Sequence, residues 1–168
     1  MDFQDLIRRR YSVRAYRPEP VSEEALARIL EAGRLAPTAA NRQPFRIVVL
    51  HGAGRQEALR RVYARDWFLQ APIVVCVCGV PGEAWVRKDG RSHLDVDAAI
   101  VMDHLILAAT DEGLGTCWIA NFDADAARTV FEVRPGEVPL LLTALGHAAD
   151  RPGAKERKGP DELVRYIR

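Results

Sequence analysis

The sequence predicts an α/β or α+β domain, a sheet with helices on its faces, and two observations carry that prediction. Four short runs rich in apolar and β-branched residues lie at 45–50, 72–80, 116–120 and 140–145. Helical patterns precede and separate them, in the order helix, helix, strand, helix, strand, helix, strand, helix, strand. A length of 168 residues fits one domain spanning 1–168, large enough to bury a core without metal or disulfide staples.

Each element has a local reason. Asp2 to Arg10 is a short amphipathic helix with Phe3, Leu6 and Ile7 on one side. Residues 11–21 (YSVRAYRPEPV) are held extended by Pro18 and Pro20. Ser22 caps a helix with Leu26, Ile29 and Leu30 on its apolar face, running to about Leu35 before Pro37 stops it. Residues 36–44 (APTAANRQP) form a loop. Phe45 to Leu50 is a buried strand, residues 52–55 turn the chain, and Gln56 to Arg65 is a charged, exposed helix. Pro72 to Val80 does not alternate, so both its faces are buried. A polar loop spans 81–92. His93 to Glu112 is the longest helix. Its runs AAIVM and LILAA leave little polar face, so it is buried within the domain or between subunits. Gly113 and Gly115 end it. Thr116 to Ala120 is the third strand. Asp123 caps a helix through Phe131, PGEVP turns, and Leu140 to Leu145 is the fourth strand, closed by Gly146. The tail from Asp150 to Pro160 is basic and broken by Gly and Pro, and Asp161 to Ile167 is a short helix or strand.

Composition narrows the function. The chain is 48% hydrophobic and 28% charged, with 24 Lys and Arg against 23 Asp and Glu and a net charge of +1. That profile excludes disorder and coiled coil, and it lacks the positive field of a nucleic-acid or membrane-surface binder. No run reaches the ~18 apolar residues of a membrane span. The opening MDFQDLIRRR has no apolar core and is not a signal peptide, so the expected setting is cytoplasmic. Cys76, Cys78 and Cys117 cannot form a closed disulfide set and are expected as buried, reduced thiols.

Several familiar motifs fail. GAGRQE follows a strand and opens a helix but lacks the third glycine of a dinucleotide fingerprint. GLGTCW has a helix before it and a strand after it, the wrong context. His93, Asp97 and His104 share a helix face, but eleven residues at ~1.5 Å rise put the ends ~16 Å apart, so no metal site is expected.

Three distant segments carry anion-binding and amide groups. Arg10, Ser12 and Arg14 alternate along an extended stretch and point to one side, and a hydroxyl with two guanidiniums makes a phosphate cradle. The loop Pro37-Thr38-Ala39-Ala40-Asn41-Arg42-Gln43 carries two side-chain amides, which donate and accept at once as a heteroaromatic ring edge requires. Lys155-Glu156-Arg157-Lys158 is a second cationic cluster.

RRRYSVRAY, APTAANRQPFRIVVL, GLGTCWIANFD, LGH and ERKGPDELV, in that order, resemble the FMN-dependent nitroreductase family over nearly the whole chain. The resemblance implies a central, mostly antiparallel or mixed sheet of four to five strands flanked by helices. It implies a homodimer with FMN at the interface and a tail, residues 150–168, that reaches the partner subunit. Arg10, Ser12 and Arg14 would hold the phosphate and ribityl chain, Tyr11 would contribute backbone, and Arg157 with Lys155 or Lys158 would complete the phosphate site. Pro37, Thr38, Ala39, Asn41 and Gln43 would frame the isoalloxazine, some from the partner chain. Trp118, Ile119, Ala120 and Asn121 would run beside the flavin, a backbone N–H near Ala120 or Asn121 donating to N5. No protein side chain is assigned as catalytic, because the cofactor carries the redox chemistry. The chain departs from the family pattern with Tyr11 where Arg or His is common. Its short length implies a more open pocket, with the loop 81–92 and its Trp85 as the remnant of a larger cover. The implied activity is ping-pong hydride transfer from NAD(P)H to a nitroaromatic, a quinone or a similar electron-poor acceptor. The alternatives are a flavin-fragmenting or dehalogenating member, or a flavin-binding protein without turnover.

Overall fold

The computed structural model describes residues 2–167. Its sheet comprises β1 (Phe45–His51), β2 (Ile73–Gly79), β3 (Gly115–Ile119) and β4 (Val138–Gly146), in the order β1-β2-β4-β3. Every neighbouring pair is antiparallel. The helices are α1 (Phe3–Arg9), α2 (Glu23–Arg34), α3 (Gln56–Val62), α4 (Asp66–Gln70), α5 (Leu94–Asp111), α6 (Ala124–Val130) and α7 (Pro160–Leu163).

The lack of polar alternation in β2 has a direct structural reason. Side chains alternate across a strand, and here both sides meet core. Val74, Cys76 and Cys78 face a cluster built with α3, α4, α6, Val13 and Tyr16. Ile73, Val75 and Val77 face a second cluster built with α2 and α5. Each such side chain contributes about 1.5–3 kcal/mol by leaving water. Ser22 Oγ accepts the Ala25 N–H at the start of α2, and Asp123 Oδ1 accepts that of Ala126 at the start of α6. Gly113, at φ 74°, ends α5 in the left-handed region that glycine enters without strain.

Three expectations about elements are revised. The strand at Phe45–Leu50 is only half-buried, because β1 pairs with β2 alone among the described residues and forms the sheet edge. The helix expected through Arg65 stops at Val62, and Tyr63 is extended. A second helix, α4, then carries the fully buried Phe68 into the core. Tyr63, Trp67 and Phe68 meet edge-to-face there, which an unbroken exposed helix would prevent. β4 begins at Val138, within the expected turn, because Val138 and Pro139 pair with Gly79 and Cys78 beyond a bulge.

β3 is also the edge against which the N-terminal segment lies. Val13 N–H donates to Thr116 O at 2.9 Å, and Ser12 bridges Thr116 in parallel. This approach requires Gly115: a Cβ there would sit 2.5 Å from Val13 Cγ2.

Candidate functional site

The two cationic segments converge because β4 runs out beside the segment that follows α1. Ala149 N–H donates to Ala15 O, and Arg17 N–H to His147 O, so residues 147–149 are stitched to residues 15–17. Asp150 then clamps the junction. Its Oδ2 accepts the Arg14 N–H at 2.7 Å, and its Oδ1 and main-chain oxygen accept the Tyr11 hydroxyl at 3.1 and 3.0 Å. Beyond the clamp the tail returns past α1, where Lys155 Nζ donates to the carbonyls of Ile7 and Arg8. Those carbonyls end a helix and favour a cation.

Arg10, Tyr11, Ser12, Arg14, Lys155 and Arg157 thereby line one cavity of about 550 Å³. Arg151 adds a fifth basic side chain, against the acids Asp150 and Glu156. Lys158 lies outside its lining, on the exposed tail. The charges press on one another: burial first, then Arg10 and Arg157, hold the Lys155 ammonium below its ordinary value. Burial pushes the Cys117 thiol up, while Arg14, the Ser12 hydroxyl and Arg10 pull it back, so Cys117 lies beneath this wall.

The 37–43 loop is built elsewhere and lines no part of that cavity. Ala40, Asn41 and Gln43 all have φ near 50°, a left-handed conformation that non-glycine residues enter at a cost. Internal bonds hold it: Gln43 N–H to Thr38 Oγ1 at 2.9 Å, Asn41 N–H to Thr38 O, and Gln43 Nε2 to Asn41 O. Asn41, Arg42 and Gln43 are exposed. Among the described residues, the loop bonds the helical layer through Ala39 N–H, which donates to Asp97 Oδ1 on α5 at 2.8 Å.

The end of β3 meets the same stretch of α5. Trp118 is exposed and, with Val96, Ala99 and Ile100, lines an apolar depression of about 530 Å³ flanked by Asp95 and Asp103. Ala120 joins Trp118, Ala98 and Leu140 around a smaller hollow of about 240 Å³. Ile119 points into the core, and Asn121 is exposed. The chain thus carries two separate surfaces, a cationic cavity and a loop-and-helix face.

The helix-face trio of His93, Asp97 and His104 is divided among other tasks. The His93 ring packs edge-on against Trp85, Asp97 holds Ala39, and His104 Nδ1 donates to Ile100 O. The loop 81–92 closes as a small hairpin, with Val86 bridging Ser92. Two organising residues escape sequence reasoning. Asp150 looks like the first residue of a basic tail, with no hint of its partners far upstream. Asp97 has the helical spacing of a ligand, yet its partner is a main-chain N–H, which sequence does not display.

The family model "Nitroreductase family" matches residues 7–65 and 53–147. A crystal structure of a nitroreductase family protein from Clostridium difficile superposes with a TM-score of 0.87 at 32% identity, covering 99% of this chain and 98% of that one. A Desulfovibrio desulfuricans structure in complex with FMN superposes with a TM-score of 0.83 at 26% identity, covering 99% of this chain and 97% of that one. A Bacillus subtilis protein named FMN reductase (NAD(P)H) is 27% identical over 172 residues, 92% of this chain and 69% of its own length. Among the described residues, no helix is long and apolar enough to cross a membrane.

Proposed function

The chain belongs to the nitroreductase family, and from that premise we propose that it is an FMN-dependent NAD(P)H oxidoreductase that works by alternation. NAD(P)H occupies the site first, and a nitroaromatic, quinone or similar electron-poor acceptor follows it. When bound, FMN supplies the hydride-accepting and hydride-donating chemistry. The observation that carries the reading is the convergence of Arg10, Ser12, Arg14 and Arg157 on one cavity from opposite ends of the chain.

The donor set fits a phosphate dianion. Arg binds phosphate through paired N–H donors, and a hydroxyl adds a further hydrogen bond. Five basic side chains against two acids leave an excess that a dianion balances. Burial and then the charges of Arg10 and Arg157 depress Lys155, and a bound dianion offsets the charge part of that effect. In this proposal Arg10, Ser12, Arg14 and Arg157 bind the phosphate, while Lys155 fixes the tail on α1 and adds its charge. Tyr11 spans to Asp150 and shapes the wall. Pro37, Thr38, Ala39, Asn41 and Gln43 orient the ring, with the exposed amides of Asn41 and Gln43, joined here through Gln43 Nε2, offering their remaining donors and acceptors to its polar edge. Trp118, Ile119, Ala120 and Asn121 line its other side through side chain or backbone.

The separation of the cationic cavity from the 37–43 loop supports a homodimer in which one protomer supplies the cavity and its partner the loop. The apolar depression around Trp118, Val96 and Ile100 is the kind of surface a second copy covers. The tail, residues 150–168, extends this contact with Tyr166 and Ile167, which are 82% and 87% exposed. A cytoplasmic setting without nucleic-acid or membrane partners belongs to the same proposal.

The test is an anaerobic titration of the FMN-loaded protein with NADH or NADPH. Bleaching of the flavin band that a quinone or nitroaromatic reverses is expected. Protein that takes up no FMN, or takes it up without bleaching, contradicts the reading; the latter is a flavin-binding protein without turnover.

A further inference from the structure

Asp97 is the described residue whose burial is least explained by packing. It lies in the first turn of α5, is 1% exposed, and with Thr116 and Thr143 is a polar residue buried in the core of the described residues. Its Oδ1 accepts the Ala39 N–H at 2.8 Å. Its Oδ2 is shut off from solvent and has no hydrogen-bond partner among the described residues. Burying a carboxylate with one oxygen unpaired is expensive, and an apolar residue at this position would fold at lower cost. The position at a helix start offsets part of that cost through the helix dipole.

What Asp97 holds is the most strained loop in the structure. Among the described residues, three of the four non-glycine residues with positive φ, Ala40, Asn41 and Gln43, follow Ala39 within four positions. Such conformations persist only where surrounding contacts over-determine them. The bonds from Thr38 fix the loop's internal shape, but they do not fix where the loop sits. Phe45 N–H to Gln43 O and Val80 N–H to Pro44 O anchor its C-terminal end to the sheet, and Asp97 ties its start to the part of α5 that also borders Trp118 and Ala120.

We propose that Asp97 is a positioning residue: through the Ala39 N–H it sets the 38–43 loop against α5 so that Asn41 and Gln43 are presented to the flavin ring. The inference rests on the FMN reading above. It concerns how tightly and in what geometry the ring is held, and it assigns Asp97 no contact with substrate.

The test compares the wild type with Asp97→Ala, Asp97→Asn and Ala39→Pro, the last removing the donor while leaving Asp97 in place. The readouts are the FMN dissociation constant by fluorescence quenching, the visible circular dichroism of the bound flavin, and the apo-protein melting curve. Asp97→Ala and Ala39→Pro are each expected to weaken FMN ~10-fold or more and to alter the visible dichroism. Asp97→Asn keeps an acceptor of the same shape and is expected to stay within about threefold of wild type on the same scale. The Asp97→Ala/Ala39→Pro double variant is expected to be no weaker than the worse single one, because both remove one interaction. Variants that bind FMN as the wild type does, with changes confined to the melting curve, overturn the proposal. So does additivity in the double variant. If Asp97→Ala does not fold, Ala39→Pro against Asp97→Asn decides the same question. A wild type that takes up no FMN overturns instead the functional reading on which the proposal rests.

Discussion

Asp150 Oδ2 accepts the Arg14 backbone N–H at 2.7 Å, joining residues 136 positions apart. With the Tyr11 hydroxyl on its Oδ1, the same carboxylate fixes the backbone that presents Arg10, Ser12 and Arg14. One acid thus organises a cationic wall, at the expense of one unit of its positive charge.

Asp150→Ala removes both side-chain acceptors. Hydrogen bonds to a charged group are worth about 1.5–3 kcal/mol, and partial exposure puts this pair toward the lower figure. FMN affinity is expected to fall about 10-fold despite the gain in net positive charge. Tighter FMN binding by this variant, measured by fluorescence titration, would show that charge matters more here than placement.

Tyr16→Phe probes the extended segment that carries Val13 and Arg14. The Tyr16 hydroxyl donates to Val13 O at 3.1 Å in the core, and its loss is expected to cost about 1–2 kcal/mol in urea unfolding. Burial above all raises the phenol well beyond its ordinary value of 10.0. A raised folded-state value favours the native state fully below the unfolded value, and the benefit fades as pH climbs above it. The gap between wild type and Tyr16→Phe is therefore expected to be constant at neutral pH and to narrow above about pH 10. A gap that holds steady into that range counts against the burial of the phenol.

Gly115→Ala places a methyl 2.5 Å from Val13 Cγ2. Relief requires residues 12–14 to move off β3. Overpacking of this kind costs about 1–3 kcal/mol, a drop in Tm of roughly 2–12 °C for a chain this size. Because Ser12 and Arg14 move with Val13, FMN affinity is expected to fall too. A melting curve matching the wild type would mean that the segment is held elsewhere.

Ile100→Glu puts a charge in the apolar depression beside Trp118. A second copy covering that face would bury the charge unpaired, which costs several kcal/mol. Sedimentation velocity is expected to find a dimer for the wild type and a monomer with weakened FMN binding for the variant. A variant that remains dimeric moves the interface off this face.

The sheet and its helices were legible in the sequence because their determinants are local. Ser22 and Asp123 announce caps, Gly113 a helix end, and the unbroken apolar run of β2 a strand covered on both sides. What escaped depends on distant partners. Phe68 lies between the helix and the strand read from the sequence, in a stretch given no element, and only the core cluster with Tyr63 explains α4. β1 is apolar enough for a central strand, but its place at the sheet edge is a matter of topology. The candidate site divides the same way. Arg10, Ser12 and Arg14 could be grouped by alternation along one strand, and Arg157 and Lys155 joined them through resemblance. Asp150 and Asp97 act on main-chain N–H groups far along the chain, and no local pattern marks such pairs.

If the cationic cavity holds the phosphate of FMN, its worth can be read from two flavins. Riboflavin carries the same ring without that group, so the ratio of riboflavin to FMN dissociation constants isolates the cavity's contribution. The wild type is expected to prefer FMN by about 100-fold or more, and Arg14→Ala to reduce that preference at least about 10-fold while leaving riboflavin binding nearly unchanged. Equal affinity for the two flavins in the wild type, or a ratio that Arg14→Ala leaves intact, would contradict the account.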